Sequence, residues 1–143
     1  MIAVDTNLLV YAHRRDSSFH DAAATAIGEL AQSPAPWALP WPCLNEFYAI
    51  ATHPRIYDPP SSADEAISQV AAWLESPSVV PLSEGSTYWS VLSSLLASAK
   101  VTGPLVHDAR IVALCLSQGI KDLWSADRDF SRFPQIKATN PLV

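Results

Sequence analysis

Ile2, Ala3 and Val4 form a short apolar run that breaks into Asp5-Thr6-Asn7, after which Leu8, Leu9 and Ala12 fall at helical spacing. This predicts a buried strand feeding a helix. Phe19 to Ala31 is Ala-rich and places Ala23, Ala26, Ile27 and Leu30 on one face, so a second helix follows. Pro34, Pro36, Pro40 and Pro42 leave room only for a short extended piece around Trp37 to Leu39. A third helix starts near Pro42, where a proline fits the first turn, and runs to about His53. Ser61 or Ser62 with Glu65 resembles a capping arrangement for a fourth helix through Leu74. Val79 to Leu82 is strand-like, and Trp89, Leu92, Leu95, Leu96 and Ala99 give Ser86 to Ser98 a helical period. Leu105 to Gln118 is helical in pattern, with Gly119 where a C-terminal cap belongs. Leu123 to Ala126 is a further strand, followed by the polar turn Asp127-Arg128-Asp129 and a short run near Ile136 to Thr139. Strands alternating with helices imply right-handed parallel crossovers, hence an α/β sandwich with a small central sheet.

Composition narrows the setting. With 143 residues, 49% hydrophobic and 16% charged, the chain can bury one sizeable core, so residues 1–143 are expected to form a single domain. The first residues carry neither a basic leader nor an apolar signal core, and no apolar run reaches the length of a membrane span, so a cytoplasmic protein is expected. Cys43 and Cys115 lack a Cys-x-x-Cys partner or nearby His and read as buried free thiols. A net charge of −5, with nine Lys plus Arg and no basic run, argues against a binder that works by neutralising many phosphates. A nuclease is compatible with it, because cations held among converging acids cancel charge where substrate sits.

The chemistry therefore turns on which carboxylates lie on faces or ends that the pattern buries. Glu46 shares a helix face with Cys43, Ala49 and Ile50, and Asp108 with Leu105, Ile111 and Val112. Asp5 and Asp127 directly follow apolar strands, at the sheet edge where open α/β folds bind ligands. Four converging acids repel unless a cation lies between them, and all-oxygen ligands favour Mg²⁺ or Mn²⁺. Blander roles stand beside this one: Asp5 as a helix N-cap, Asp127 as a turn residue, and Glu46 and Asp108 as acids paired with Arg14, Arg55 or Arg110. Asn7 reads equally as a first-turn residue or as a hydrogen-bond partner of a ligating acid.

Val4-Asp5-Thr6-Asn7, Leu44-Asn45-Glu46-Phe47, Val106-His107-Asp108-Ala109 and Ser125-Ala126-Asp127-Arg128-Asp129-Phe130, taken together and in order, resemble the successive motifs of the PIN-domain family. More narrowly, the chain is similar to the VapC-type toxins of bacterial toxin–antitoxin pairs. The resemblance implies a PIN-like three-layer α/β/α sandwich with a mainly parallel sheet, a divalent metal and endonucleolytic cleavage of RNA. Asp5, Glu46, Asp108 and Asp127 match the family's four acids, Asn7 and Ser125 match polar positions beside them, and Asp129 also falls in the last motif. Ser125 stands where the family usually has Thr, and still offers a hydroxyl donor.

The mechanism so implied uses one or two Mg²⁺ or Mn²⁺ ions to lower the pKa of water and stabilise charge on the phosphoryl oxygens. Arg128, Arg14 and Arg110 are candidates to hold neighbouring phosphates, against a plain surface role. Rival readings are a non-toxin PIN nuclease, an aspartyl-phosphate phosphatase, a receiver-like module and a metal-dead interaction module. The phosphatase wants a second Asp where Asn7 stands, and the receiver wants paired early acids. The toxin reading brings in an RNA substrate and a cognate VapB-type antitoxin. Trp37, Trp41 and Tyr48 crowd the third helix in a chain with five Trp, so an interface with that partner is expected there; core filling or a homodimer contact is the alternative, and a homodimer is expected alongside the partner.

Overall fold

Residues 1–143 are described by a computed structural model. The first apolar run forms β1 (Ile2–Val4), which enters α1 (Thr6–His13) through Asp5. Then come α2 (His20–Gln32), β2 (Trp37–Pro40), α3 (Trp41–Ala51), α4 (Ala63–Leu74), β3 (Val79–Leu82), α5 (Tyr88–Ser98), α6 (Val106–Ser117), β4 (Asp122–Trp124) and β5 (Lys137–Thr139). Short 3-10 turns at Gly103–Leu105 and Arg128–Arg132 lead into α6 and toward β5.

The five strands make one sheet in the order β3-β2-β1-β4-β5, and every pairing is parallel. Helices flank the sheet in an α/β/α arrangement: α1 packs on α2 and α3, α3 on α4, and α5 on α6. From β1 the chain steps outward to β2 and β3, then returns through α5 and α6 to the other side of β1. The strand order therefore reverses between β1 and β4, with Val4 level with Trp124. Open α/β sheets bind ligands at the strand carboxyl ends at such a point, and Asp5 and Asp127 follow β1 and β4 there.

Local chemistry places the element ends. Ser62 accepts from the Glu65 N–H while the Glu65 side chain accepts from the Ser62 N–H, a complete capping box on α4. Gly119 takes a φ of +74° after α6, with Ile120 N–H donating to Cys115 O and Gly119 N–H to Leu116 O, so its carbonyls end in a Schellman motif. The same motif closes α5, with Lys100 rather than glycine in the left-handed position at φ 52°. β4 is shorter than the expected Leu123 to Ala126 because the backbone beyond Trp124 turns to side chains: Ala126 N–H donates to Asn7 Oδ1 and Asp127 N–H to Ser125 Oγ.

Trp37, Leu39, Phe47, Leu114, Leu123 and Phe133 are fully buried around the sheet. Trp37 satisfies its indole N–H with Ser76 Oγ at 3.1 Å, as a buried Trp requires. Trp41, Tyr48 and Trp89 remain exposed. No helix is long and apolar enough to cross a membrane.

Candidate active site

Asp5 occupies the N-cap position of α1, yet its carboxylate makes no capping bond. Its two oxygens are held from other elements instead. Ser125 Oγ donates to Asp5 Oδ2 at 2.7 Å, and the buried Cys43 Sγ of α3 donates to Asp5 Oδ1 at 3.6 Å. The Ser125 hydroxyl also accepts from Asp127 N–H at 3.0 Å and from Asn7 Nδ2 at 3.4 Å. One hydroxyl thus orders the ends of β1 and β4 together, and Asn7 acts on Asp5 through Ser125 rather than by direct contact.

Asp108 lies in the first turn of α6, at the carboxyl edge of the sheet. Oxygen atoms of Asp108, Asp127 and Asp129 all lie within 4.8 Å of one another. Asp127 caps the following 3-10 turn, its Oδ1 accepting from Asp129 N–H at 2.8 Å, which holds the exposed Asp129 beside it. Asp127 is therefore a turn residue and a member of the cluster at once. Asp129, whose part was open from sequence, joins Asp108 and Asp127 more tightly than either Asp5 or Glu46 does.

Glu46 departs from expectation. The buried stripe of α3 is Cys43, Leu44, Phe47 and Ala51, while Glu46 and Ala49 are exposed. Glu46 sits at the edge of that stripe and is tied to the cleft by Thr6, whose Oγ1 donates to Glu46 Oε2 at 3.2 Å. Asp108 is half-buried, with the buried Ile111 and Val112 behind it.

The electrostatics agree with this placement. Burial, then repulsion from Asp127, Asp5, Asp129 and Glu46, pushes the Asp108 carboxyl up to about 6. Burial also raises Asp5, against the hydrogen bond from Ser125. No cationic side chain compensates either acid: the two ion pairs in the molecule are Arg14–Asp16 at 2.7 Å and Arg110–Glu84 at 2.9 Å. The salt-bridge alternative for Glu46 and Asp108 is thereby removed. What remains is an all-oxygen donor set, without Cys or His among its three tightest members, that a hard divalent cation fits.

Two participants escaped the sequence reading. Cys43 was read only as a buried thiol, although it lies one helical turn before Glu46 on α3. Thr6, next to Asp5, carries the hydroxyl that reaches Glu46. A concavity of about 840 Å³ lies elsewhere, beside His13, Arg14 and Ser61. Its principal cation is already committed, with Arg14 donating to Asp16, to Ser61 Oγ and to Pro59 O.

The family model described as PIN domain matches residues 2–136. The ribonuclease VapC48 of Mycobacterium tuberculosis is 33% identical over 138 residues, spanning 96% of this chain and 95% of that protein. The ribonuclease VapC43 of the same species is 33% identical over 142 residues, spanning 99% of this chain and 96% of that protein. Among solved structures, VapBC2 from Rickettsia felis, bound to a DNA fragment from its promoter, aligns with a TM-score of 0.69 at 18% identity, covering 98% of both chains. At that identity the last likeness speaks to the fold, which is the parallel sheet and flanking helices described above. The chain belongs to the PIN-domain family, among its VapC-type members.

Proposed function

We propose that residues 1–143 act as one PIN-like domain, an endoribonuclease that serves as the toxin of a toxin–antitoxin pair and depends on Mg²⁺ or Mn²⁺. The observation that carries the metal site is the grouping of Asp108, Asp127 and Asp129 oxygens within 4.8 Å without a compensating cation. Asp5, Glu46, Asp108 and Asp127 would hold the ion, with Asp129 as a further ligand. Ser125, with Asn7 behind it, keeps Asp5 turned toward the cleft. When bound, the cation would supply Lewis-acid stabilisation for negative charge growing on the phosphoryl oxygens and lower the pKa of water. The protein's own part is orientation. Ser125 and Cys43 hold both Asp5 oxygens, and Thr6 steadies Glu46. The names of the ribonuclease relatives support RNA as the substrate.

The partner reading, a VapB-type antitoxin, draws support from an apolar groove of about 330 Å³ between α3 and α4, lined by Trp41, Leu44, Tyr48, Ile67, Val70 and Leu74. It opens beside Asn45, next to the acidic Glu46, and so suits an amphipathic segment carrying a basic residue.

The test is cleavage of a structured RNA by purified protein with Mg²⁺, Mn²⁺ or excess EDTA. Cleavage is expected with either metal and none with EDTA. Undiminished cleavage in chelator would remove the metal-nuclease reading.

A further inference from the structure

The three arginines that the sequence offers as phosphate holders part ways in the structure. Arg14 is tied to Asp16, and Arg110 to Glu84. Arg128 forms no ion pair and lines a cleft of about 700 Å³ that begins where the carboxylate cluster ends. Ser125 and Asp127 are shared by the cleft and the cluster. Lys137 of β5 lines the same cleft and is likewise without an ion pair.

We infer that this cleft seats the nucleotide next to the scissile phosphate of a single-stranded RNA, with Arg128 and Lys137 holding its phosphate. The inference rests on the nuclease reading above and adds where the substrate runs. Size fits, since small-ligand sites occupy roughly 300–1,000 Å³. Charge requires a device of this kind. A polyanion laid against five carboxylates is repelled, and metal neutralises only the scissile position, so the flanking phosphate needs fixed cations close by. Arg128 sits between two members of the cluster in sequence, which binds its position to theirs. The walls suit a nucleoside. Pro134 and Ala138 offer exposed apolar surface for a ribose or base face. Asn140 spends its Oδ1 on Leu142 N–H at 3.0 Å, which leaves its amide NH₂ to donate to a base edge. Entry of a base into a concavity requires an unpaired nucleotide, hence a loop or single strand rather than a duplex.

The experiment compares wild type with the double variant Arg128→Gln/Lys137→Gln on a single-stranded oligoribonucleotide with Mn²⁺ present. A control, Arg55→Gln/Lys121→Gln, removes the same charge from exposed positions outside the cleft. The cleft variant is expected to raise KM on the order of tenfold and to flatten the log–log salt dependence by about 0.7 per lost contact. Its kcat and Mn²⁺ titration should match wild type, and the control should change neither KM nor slope. In the slow-cleaving Asp5→Asn chain with Mn²⁺ present, a 4-thiouridine oligoribonucleotide should crosslink within residues 133–143, and crosslinks confined to other segments would overturn the inference. A wild-type KM in the cleft variant, with cleavage intact, overturns the inference and leaves the nuclease reading standing. So does a parallel loss of Mn²⁺ binding, which would mean that the cations act through the acids. Loss of antitoxin affinity with KM unchanged would assign the cleft to a protein partner and refute the RNA subsite. Absence of any metal-dependent cleavage by wild type would remove both readings.

Discussion

The Ser125 hydroxyl donates to Asp5 Oδ2 over 2.7 Å although the two residues stand 120 positions apart. Parallel pairing of β1 with β4 makes this possible, because it brings the two strand ends level at the point where strand order reverses. The same oxygen accepts from Asp127 N–H, so a single side chain joins the first acid to the last.

Ser125→Ala should therefore loosen both ends of the site. The expected loss is roughly 10–100-fold in Mn²⁺ affinity or RNA cleavage, the usual cost of removing a group that orients a metal ligand. Ser125→Thr should restore function because it returns the hydroxyl. Calorimetric Mn²⁺ titration of both variants decides the matter, and an alanine variant with wild-type affinity would show the bond to be idle.

Asp5→Asn keeps the shape of the side chain and removes a charge that burial already disfavours. Cleavage is expected to fall by more than about 100-fold, beyond the loss for an indirect partner, while thermal stability holds or rises slightly. In a bacterial host, wild type expressed alone should slow growth and degrade RNA. Asp5→Asn should do neither, and co-expression of a VapB-type partner should relieve the wild type. Soluble, metal-loaded wild type that leaves growth and RNA unchanged would end the toxin reading.

Metal-free stability should fall as pH rises. The folded chain holds the Asp108 proton up to about pH 6, against an unperturbed 3.8, so ionising this group costs folding free energy from about pH 4 upward and in full above 6. The raw shift corresponds to about 3 kcal/mol, and solvent screening of a half-exposed group leaves about 1 kcal/mol. In EDTA at pH 8, Asp108→Asn should melt about 2–4 °C above wild type, with the difference vanishing near pH 4. A pH-independent gap between the melting curves would point to a packing effect instead.

Lys100 closes α5 with a φ of 52°, a conformation that costs a side-chain-bearing residue about 1 kcal/mol. Lys100→Gly should stabilise the protein by about 0.5 kcal/mol, the relief being partly offset by the freer unfolded chain. Urea denaturation with an unchanged slope would register this as a shift in midpoint.

Much was settled by periodicity and end chemistry in the sequence. The apolar run Ile2–Val4, the cap with Glu65, open between Ser61 and Ser62 and made by Ser62, and Gly119 after α6 each depend on neighbours a few residues away, and each is present in the structure. The alternation of strands and helices was likewise enough for a parallel sheet, because short strands separated by helices have one common way to pair.

The site needed tertiary structure. Helical spacing put Glu46 with Cys43, Ala49 and Ile50, but α3 presents Cys43, Leu44, Phe47 and Ala51 to the core. A stripe of small and apolar residues admits two nearly equivalent faces, and only the neighbouring elements choose between them. The salt-bridge alternatives for Glu46 and Asp108 were equally open until Arg14 and Arg110 were found facing Asp16 and Glu84. Asp129 joined the cluster through a turn that Asp127 itself caps. Periodicity reports which residues share a face of their own element, whereas strand order decides which faces and ends meet, and that order follows from contacts far apart in the chain. Periodicity located the helices and strands, and the residues at their ends and faces made Asp5, Glu46, Asp108 and Asp127 the candidate acids. Strand order, by setting β1 beside β4, decided that Asp5, Asp108, Asp127 and Asp129 come together at one edge of the sheet.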